Sequence, residues 1–187
     1  MGVRGGFGRA PGEGGGLTVI ASEAKQSSAA PPPAGLPRRF APRNDGIVKL
    51  HIIARGKIGR GPEAELVERY LKRISWPIRI TELPESGGRP PPPPDNAVTI
   101  LLDEKGEALG SLDLAKRLER WRDEGRREAR FLIGAADGFS NEERSSADLL
   151  LSFGKATWPH LLARAMLAEQ LWRATSILAN HPYHREG

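Results

Sequence analysis

The stretch FGKATWPHLLARAMLAEQLWRATSILANHPYHREG, Phe153 to Gly187, decides how the rest of this chain is read. It opens on a Gly154-Lys155 turn, passes through Thr157-Trp158-Pro159-His160 and becomes an amphipathic helix carrying Arg164, Glu169 and Arg173. Pro159 suits a first-turn position, where its missing N–H would be unpaired anyway, and Leu162, Met166, Leu171, Trp172 and Ile177 recur close to the helical period. Beyond Ala179 the periodicity stops, yet Pro182-Tyr183-His184-Arg185 keep hydrogen-bonding and stacking groups together. Helices that serve only as core seldom end this way; the plain alternative is a C-terminal helix with a frayed end.

Upstream, strand and helix patterns alternate from Val48 onward, which predicts an α/β domain with a mostly parallel sheet. Val48 to Ala54 reads as a buried first strand that ends at Gly56. Gly61-Pro62 opens a helix with Leu66, Val67, Tyr70, Leu71 and Ile74 on its apolar face. Pro77 to Leu83 is a second strand, and Ala97 to Leu102 a third whose unbroken apolar run suits burial on both faces. Ser111 is the expected N-cap of a helix that turns Leu114, Leu118 and Trp121 inward before Gly125 stops it. Phe131-Leu132-Ile133 forms the fourth strand, Ser140-Asn141-Glu142-Glu143 a capping box for a short helix, and Leu149-Leu150-Leu151 the fifth strand.

Three strand ends carry small-residue turns: Leu102 to Gly106, Ile133 to Gly138 and Ser152 to Thr157. In open α/β sheets ligands bind where such carboxyl ends converge, because glycine lets the backbone approach and leaves its N–H and C=O groups free to read the ligand. None of the turns has dinucleotide or P-loop spacing, and the chain has neither a G-x-S-x-G elbow nor an H-E-x-x-H helix. His181 and His184 stand three apart, but Pro182 breaks the helix that would hold them and no third ligand is evident, so no metal is expected.

Composition narrows the function classes. No stretch approaches the roughly 18 apolar residues of a membrane span, so a soluble protein without a membrane partner is expected. With no cysteine among 187 residues there is no disulfide and no thiolate nucleophile, which is compatible with a cytoplasmic location. The formal net charge is +5, but residues 1–47 hold six basic residues against three acidic ones, leaving only +2 for the remainder. Any basic surface on the folded part must therefore be local.

Residues 1–47 contain ten glycines and six prolines among Ser and Ala, with almost no apolar periodicity. Such a segment cannot bury enough surface to offset the entropy of ordering, and is expected to be a disordered extension. ASEAKQSS followed by LPRRFAPRNDG looks like a translated intergenic repeat rather than evolved protein, which would put the native start near Val48 and the domain at 48–187. A second low-complexity stretch, Gly87-Gly88-Arg89 followed by Pro90 to Pro94, reads as an extended spacer.

The region from Val48 to Glu186 resembles the RlmH family, SPOUT-class methyltransferases that use S-adenosylmethionine to methylate N3 of a pseudouridine in 23S ribosomal RNA. The resemblance rests on Leu102-Asp-x-x-Gly106, Phe131-Leu-Ile-Gly134, Phe153-x-Lys155-x-Thr157-x-Pro159-His160, Arg164 with Glu169-Gln170-x-Trp172-Arg173-Ala174, and Pro182-Tyr183-His184. It implies a parallel sheet with helices on both sides, a C-terminal trefoil knot and a homodimer whose active site the partner chain completes. It also implies a cofactor site at Leu102, Gly134 and the loop Phe153, Gly154, Lys155, Ala156, Thr157 and Trp158. Near the substrate it points to His160, Arg173, Tyr183, His184 and Arg185. The residue types suit RNA chemistry: arginine clamps phosphate, tyrosine stacks on an exposed base, and a histidine can handle the N3 proton.

Three departures stand out: Ala135 where a second glycine is usual, Trp172 for a common tyrosine, and the proline segment where relatives usually place a helix. Two other readings stay open at this point. A nonenzymatic RNA-binding module would explain the arginines and the tail, and an inactive relic would explain the odd N-terminus and the missing helix; binding of S-adenosylmethionine separates both from the enzyme.

Overall fold

In a computed structural model, which describes residues 46–179, nine elements follow one another. They are β1 (Lys49–Arg55), α1 (Pro62–Leu71), β2 (Ile78–Leu83), β3 (Ala97–Ala108), α2 (Ser111–Asp123), β4 (Glu128–Ile133), α3 (Asn141–Ser146), β5 (Leu149–Ser152) and α4 (His160–Leu178). The five strands form one sheet in the order β2-β1-β4-β3-β5, with every neighbouring pair parallel. Residues 1–45 of the expected extension over 1–47, and the tail residues Tyr183, His184 and Arg185, lie outside the described residues.

Strand order and handedness decide which connection covers which face. The steps β1 to β2 and β3 to β4 run in one direction across the sheet, while β2 to β3 and β4 to β5 run in the other. Right-handed crossovers then put α1 and α2 on one face, and residues 84–96 and α3 on the opposite one. The packing agrees. Leu50, Ile52, Ile100 and Phe131 share a buried cluster with Leu114 and Leu118 of α2 and with Leu167 and Leu171 of α4. The opposite face has a smaller cluster of Ile53, Leu83, Leu101, Leu132 and Phe139, closed by Ala147 at the end of α3. The α4 helix returns over the first face between α1 and α2, and all three long helices lie on that side.

Residues 84–96 make the longest crossover, across three strand spacings, or about 14 Å sideways, while also returning along a strand of about 20 Å. Thirteen residues of α-helix would reach only about 20 Å, whereas the same number in a polyproline conformation reaches about 40 Å. An extended chain is therefore the form in which so short a connection closes. It is anchored: Arg55 donates to the carbonyls of Gly87 and Gly88, and buried Arg130 donates to that of Pro91.

Two expectations need correction. Ser111 does not cap α2; Gly110 holds the N-cap position without a side-chain bond, and the Ser111 hydroxyl instead donates to Gln170 Oε1 at 2.8 Å on α4. The third strand does not end at Leu102 but continues to Ala108. Leu151 of β5 pairs with both Leu102 and Glu107, so residues 103–106 bulge out of the ladder between them. Gly106 permits this, since a Cβ there would stand 2.6 Å from the Leu150 carbonyl. The capping box is present as read: Ser140 accepts from the Glu143 N–H at 3.1 Å, and Glu143 accepts from the Ser140 N–H at 2.7 Å.

Candidate active site

The bulge after Leu102, the turn after β4 and the loop after β5 meet at the carboxyl edge of the sheet around a cavity of about 550 Å³. Each wall has a local cause. Gly134 passes so close to the next turn that a Cβ there would lie 3.3 Å from the Gly138 backbone, and Gly138 itself sits at φ +73. Among the described residues Asn96 is the one non-glycine with positive φ, so Ala135 occupies its place in that turn without left-handed strain. The third loop starts at Gly154, at φ +104, and closes when the Trp158 indole N–H donates to the Phe153 carbonyl at 3.3 Å. Ser152 Oγ accepts from the Gly154 N–H at 3.1 Å and fixes the first step of that loop.

Of the residues expected to hold a cofactor, Leu102, Gly134, Phe153, Gly154, Ala156, Thr157 and Trp158 line this cavity; Lys155 belongs to the same loop but is exposed and does not. His160, the first residue of α4, also lines it. Arg173 does not. It lies thirteen residues further along α4, about 20 Å from His160 at helical rise, with its Nε 2.9 Å from Glu169 Oε1.

Sequence reasoning missed the ion pair between Asp103 and Arg144 in the cavity wall, Nε to Oδ2 at 2.7 Å. Burial alone would raise the Asp103 pKa, but the Lys105 N–H at 2.9 Å and the Arg144 guanidinium outweigh it and hold the carboxyl below its usual range. No sequence pattern links two residues 41 apart, although Asp103 follows directly on Leu102. With Glu104 and Asp137 also in the wall, three carboxylates face one arginine and the histidine.

Arg164 on α4 is buried rather than solvated. Its side chain is 0% exposed and its Nη1 lies 2.6 Å from Glu82 Oε1, while its Nη2 donates to the carbonyls of Arg55 and Gly56 at 3.2 and 2.9 Å. Burial pulls its pKa down and Glu82 opposes that shift. Trp172, half-buried, lies beside Tyr70 at a ring-centroid distance of 5.6 Å and under Arg73 at 5.3 Å. No group of His, Cys, Asp and Glu suited to a metal occurs among the described residues, and no helix there is long and apolar enough to cross a membrane.

A cavity built from backbone and glycine at the carboxyl edge of a parallel sheet, with an acidic wall, suits a small cationic cofactor. Residues 48–184 match the model of the family described as "Predicted SPOUT methyltransferase", and the chain belongs to that family of methyltransferases. Such an enzyme requires a methyl donor. Among similar proteins, the "Ribosomal RNA large subunit methyltransferase H" of Rhizorhabdus wittichii is 75% identical over 138 residues, 74% of this chain and 99% of the relative. The protein of the same name from Zymomonas mobilis is 63% identical over 142 residues, 75% of this chain and 100% of the relative. The one from Bradyrhizobium diazoefficiens is 43% identical over 159 residues, again 74% of this chain and 99% of the relative. The last match runs longer over the same share of this chain, so that relative carries residues absent here. The shorter form of the domain is shared with the Rhizorhabdus protein.

Proposed function

We propose that this chain methylates N3 of a pseudouridine in 23S ribosomal RNA, with S-adenosylmethionine as methyl donor and as one half of a homodimer in the cytoplasm. The observation that carries the reading is the meeting of three loops, from three different strands, around one cavity of a size suited to a small cofactor. The fit to this donor is chemical as well as spatial: the donor is positive at sulfur and at its amino group, and Asp103, Glu104 and Asp137 supply the opposite sign. Leu102, Gly134 and the loop Phe153 to Trp158 would hold it, largely through backbone groups. No metal takes part in this reading.

When bound, S-adenosylmethionine supplies a methyl group already activated by the sulfonium. What remains for the protein is alignment and removal of the N3 proton. His160 stands at the cavity wall and is the described candidate to accept that proton at a ring nitrogen, leaving the N3 lone pair to take the methyl carbon. Arg173 is too far along α4 to serve the cavity of its own chain, which supports a site completed by a second copy. Tyr183, His184 and Arg185 complete the substrate side in this reading, with Tyr183 stacking on the base and Arg185 at a phosphate. The knotted C-terminal segment expected of the family would close the cavity from behind.

The test is tritium transfer from labelled cofactor to ribosomes lacking the modification, with mass spectrometry locating the methyl group. Incorporation at N3 of a single pseudouridine of 23S RNA is expected. Cofactor binding without transfer to any RNA would contradict the substrate, and RNA binding without cofactor binding would favour the nonenzymatic module.

A further inference from the structure

Between β1 and α1 runs Gly56-Lys57-Ile58-Gly59-Arg60-Gly61, a loop to which neither the motifs nor the family reading assigns a role. Lys57 and Arg60 are exposed and make no ion pair or hydrogen bond among the described residues. On an ordinary loop with two left-handed glycines, such side chains would wander. This loop is held at three points. The buried Arg164 guanidinium donates to the carbonyls of Arg55 and Gly56, and Glu82, paired to Arg164 at 2.6 Å, also accepts from the Ile58 N–H at 2.8 Å.

The backbone groups that leave the ladder after β1 are thus satisfied by one ion pair that joins β2 to α4. A fully buried guanidinium is a costly way to fasten a helix to a sheet, since apolar residues of similar volume often do so equally well or better. What it adds is direction, because only a fork of donors captures two carbonyls and a carboxylate at once. The captured loop borders the cavity: a Cβ on Gly56, at φ +77, would lie 3.6 Å from His160 Nε2. An RNA strand presenting a base at His160 carries phosphates on both sides of that base, and contacts to phosphate set register without reading sequence.

We infer that Gly56–Gly61 is a preformed phosphate-gripping loop, in which Lys57 and Arg60 hold the RNA backbone on the His160 side of the cavity and the Glu82–Arg164 pair is the latch that positions them. The inference rests on the proposed RNA substrate and names the part of the chain that meets it.

The experiment compares the full chain with its Lys57→Ala/Arg60→Ala and Glu82→Gln variants, using labelled S-adenosylmethionine and unmodified ribosomes. The double variant alters only exposed side chains, so its fold is retained. Its KM for ribosomes is expected to rise about tenfold with kcat and cofactor affinity unchanged. The slope of log affinity against log salt for ribosome binding should shrink by about 1.4, roughly 0.7 for each lost single-strand phosphate contact. Glu82→Gln keeps the shape and weakens the latch, so a smaller rise in KM, about threefold, is expected without loss of cofactor binding. An unchanged KM and salt slope in the double variant overturns the loop assignment, as does a fall in kcat alone. An unchanged KM in Glu82→Gln overturns the latch. If the unaltered chain neither binds cofactor nor transfers methyl, the proposed function falls, while the salt slope still decides the loop.

Discussion

On one face of the sheet Leu50, Ile52, Ile100 and Phe131 lie under helices; on the other His51, Arg79, Glu128 and Arg130 lie on the side crossed by an extended run of prolines. The helical face works by apolar area, because α1, α2 and α4 satisfy their own backbone groups and can offer it a stripe of side chains. A proline run offers carbonyls without N–H donors, so a purely apolar surface beneath it would leave those acceptors unpaired. Arg130 supplies a donor to the Pro91 carbonyl, and Arg55 ties down the Gly87 and Gly88 carbonyls just before the run. Behind them Glu128 balances the charge, meeting Arg79 at 3.0 Å and His51 Nδ1 at 3.0 Å. Glu128 can only accept, so on a neutral ring Nδ1–H donates to it and Nε2 accepts from the Thr81 hydroxyl at 2.8 Å, with the Arg79 guanidinium lying 3.1 Å from Nδ1. The face with the thin cover adds a polar network to its smaller apolar cluster, and the face with the thick cover is held by packing.

Cutting into each face in turn tests that contrast. Leu171→Ala, at a position with 0% exposure under α4, should lower the unfolding free energy by about 4 kcal/mol in urea denaturation. Glu128→Ala leaves buried Arg130 and His51 without their carboxylate and should cost about 3 kcal/mol, the low end for a broken buried pair because Arg79 is half exposed. A loss under 1 kcal/mol there would show that the polar face contributes little. Ser140→Ala removes the cap of α3 and should cost about 1 kcal/mol.

The smallest effect is a pH dependence. Burial, opposed by the Glu128 hydrogen bond, lowers the His51 pKa, so the unfolded chain binds the proton more readily than the folded one. His51 therefore contributes stability that is complete above the unfolded value of about 6.5 and is lost as pH falls through the folded one. His51→Gln should flatten the denaturation midpoint across that window; an unchanged slope would remove His51 as its source. Asp103, also lowered, acts in the same sense below about pH 4, and Arg144→Ala, by raising the folded value toward the unfolded one, should make that acid loss smaller.

The helical face and the strand series were legible because unbroken apolar runs such as Ile52-Ile53-Ala54 and the 3.6 period of Leu114 to Trp121 are written locally. The turns after β4 and β5 that line the cavity were also legible, since glycine at a strand end has few other uses. The bulge of β3 was not: residues 103–106 read as a turn, and only the pairing of Glu107 with Leu151, far along the chain, shows that the ladder resumes. Nor was the burial of Arg164, whose partners on β1 and β2 lie 82 or more positions away. The extended crossover was read as a spacer, but its route across the polar face depends on strand order, which local patterns do not contain.

Equilibrium dialysis of labelled S-adenosylmethionine against the full chain and its Gly134→Val variant addresses the cavity most directly. A Cβ at Gly134 already meets the Gly138 backbone at 3.3 Å, and the branches of valine would force the 134–138 turn out of place. Saturable binding to the unaltered chain is expected, weakened at least tenfold in the variant while its far-ultraviolet circular dichroism is unchanged. No saturable binding to the unaltered chain, or equal affinity in the two, would contradict the placement of the methyl donor at the three converging loops.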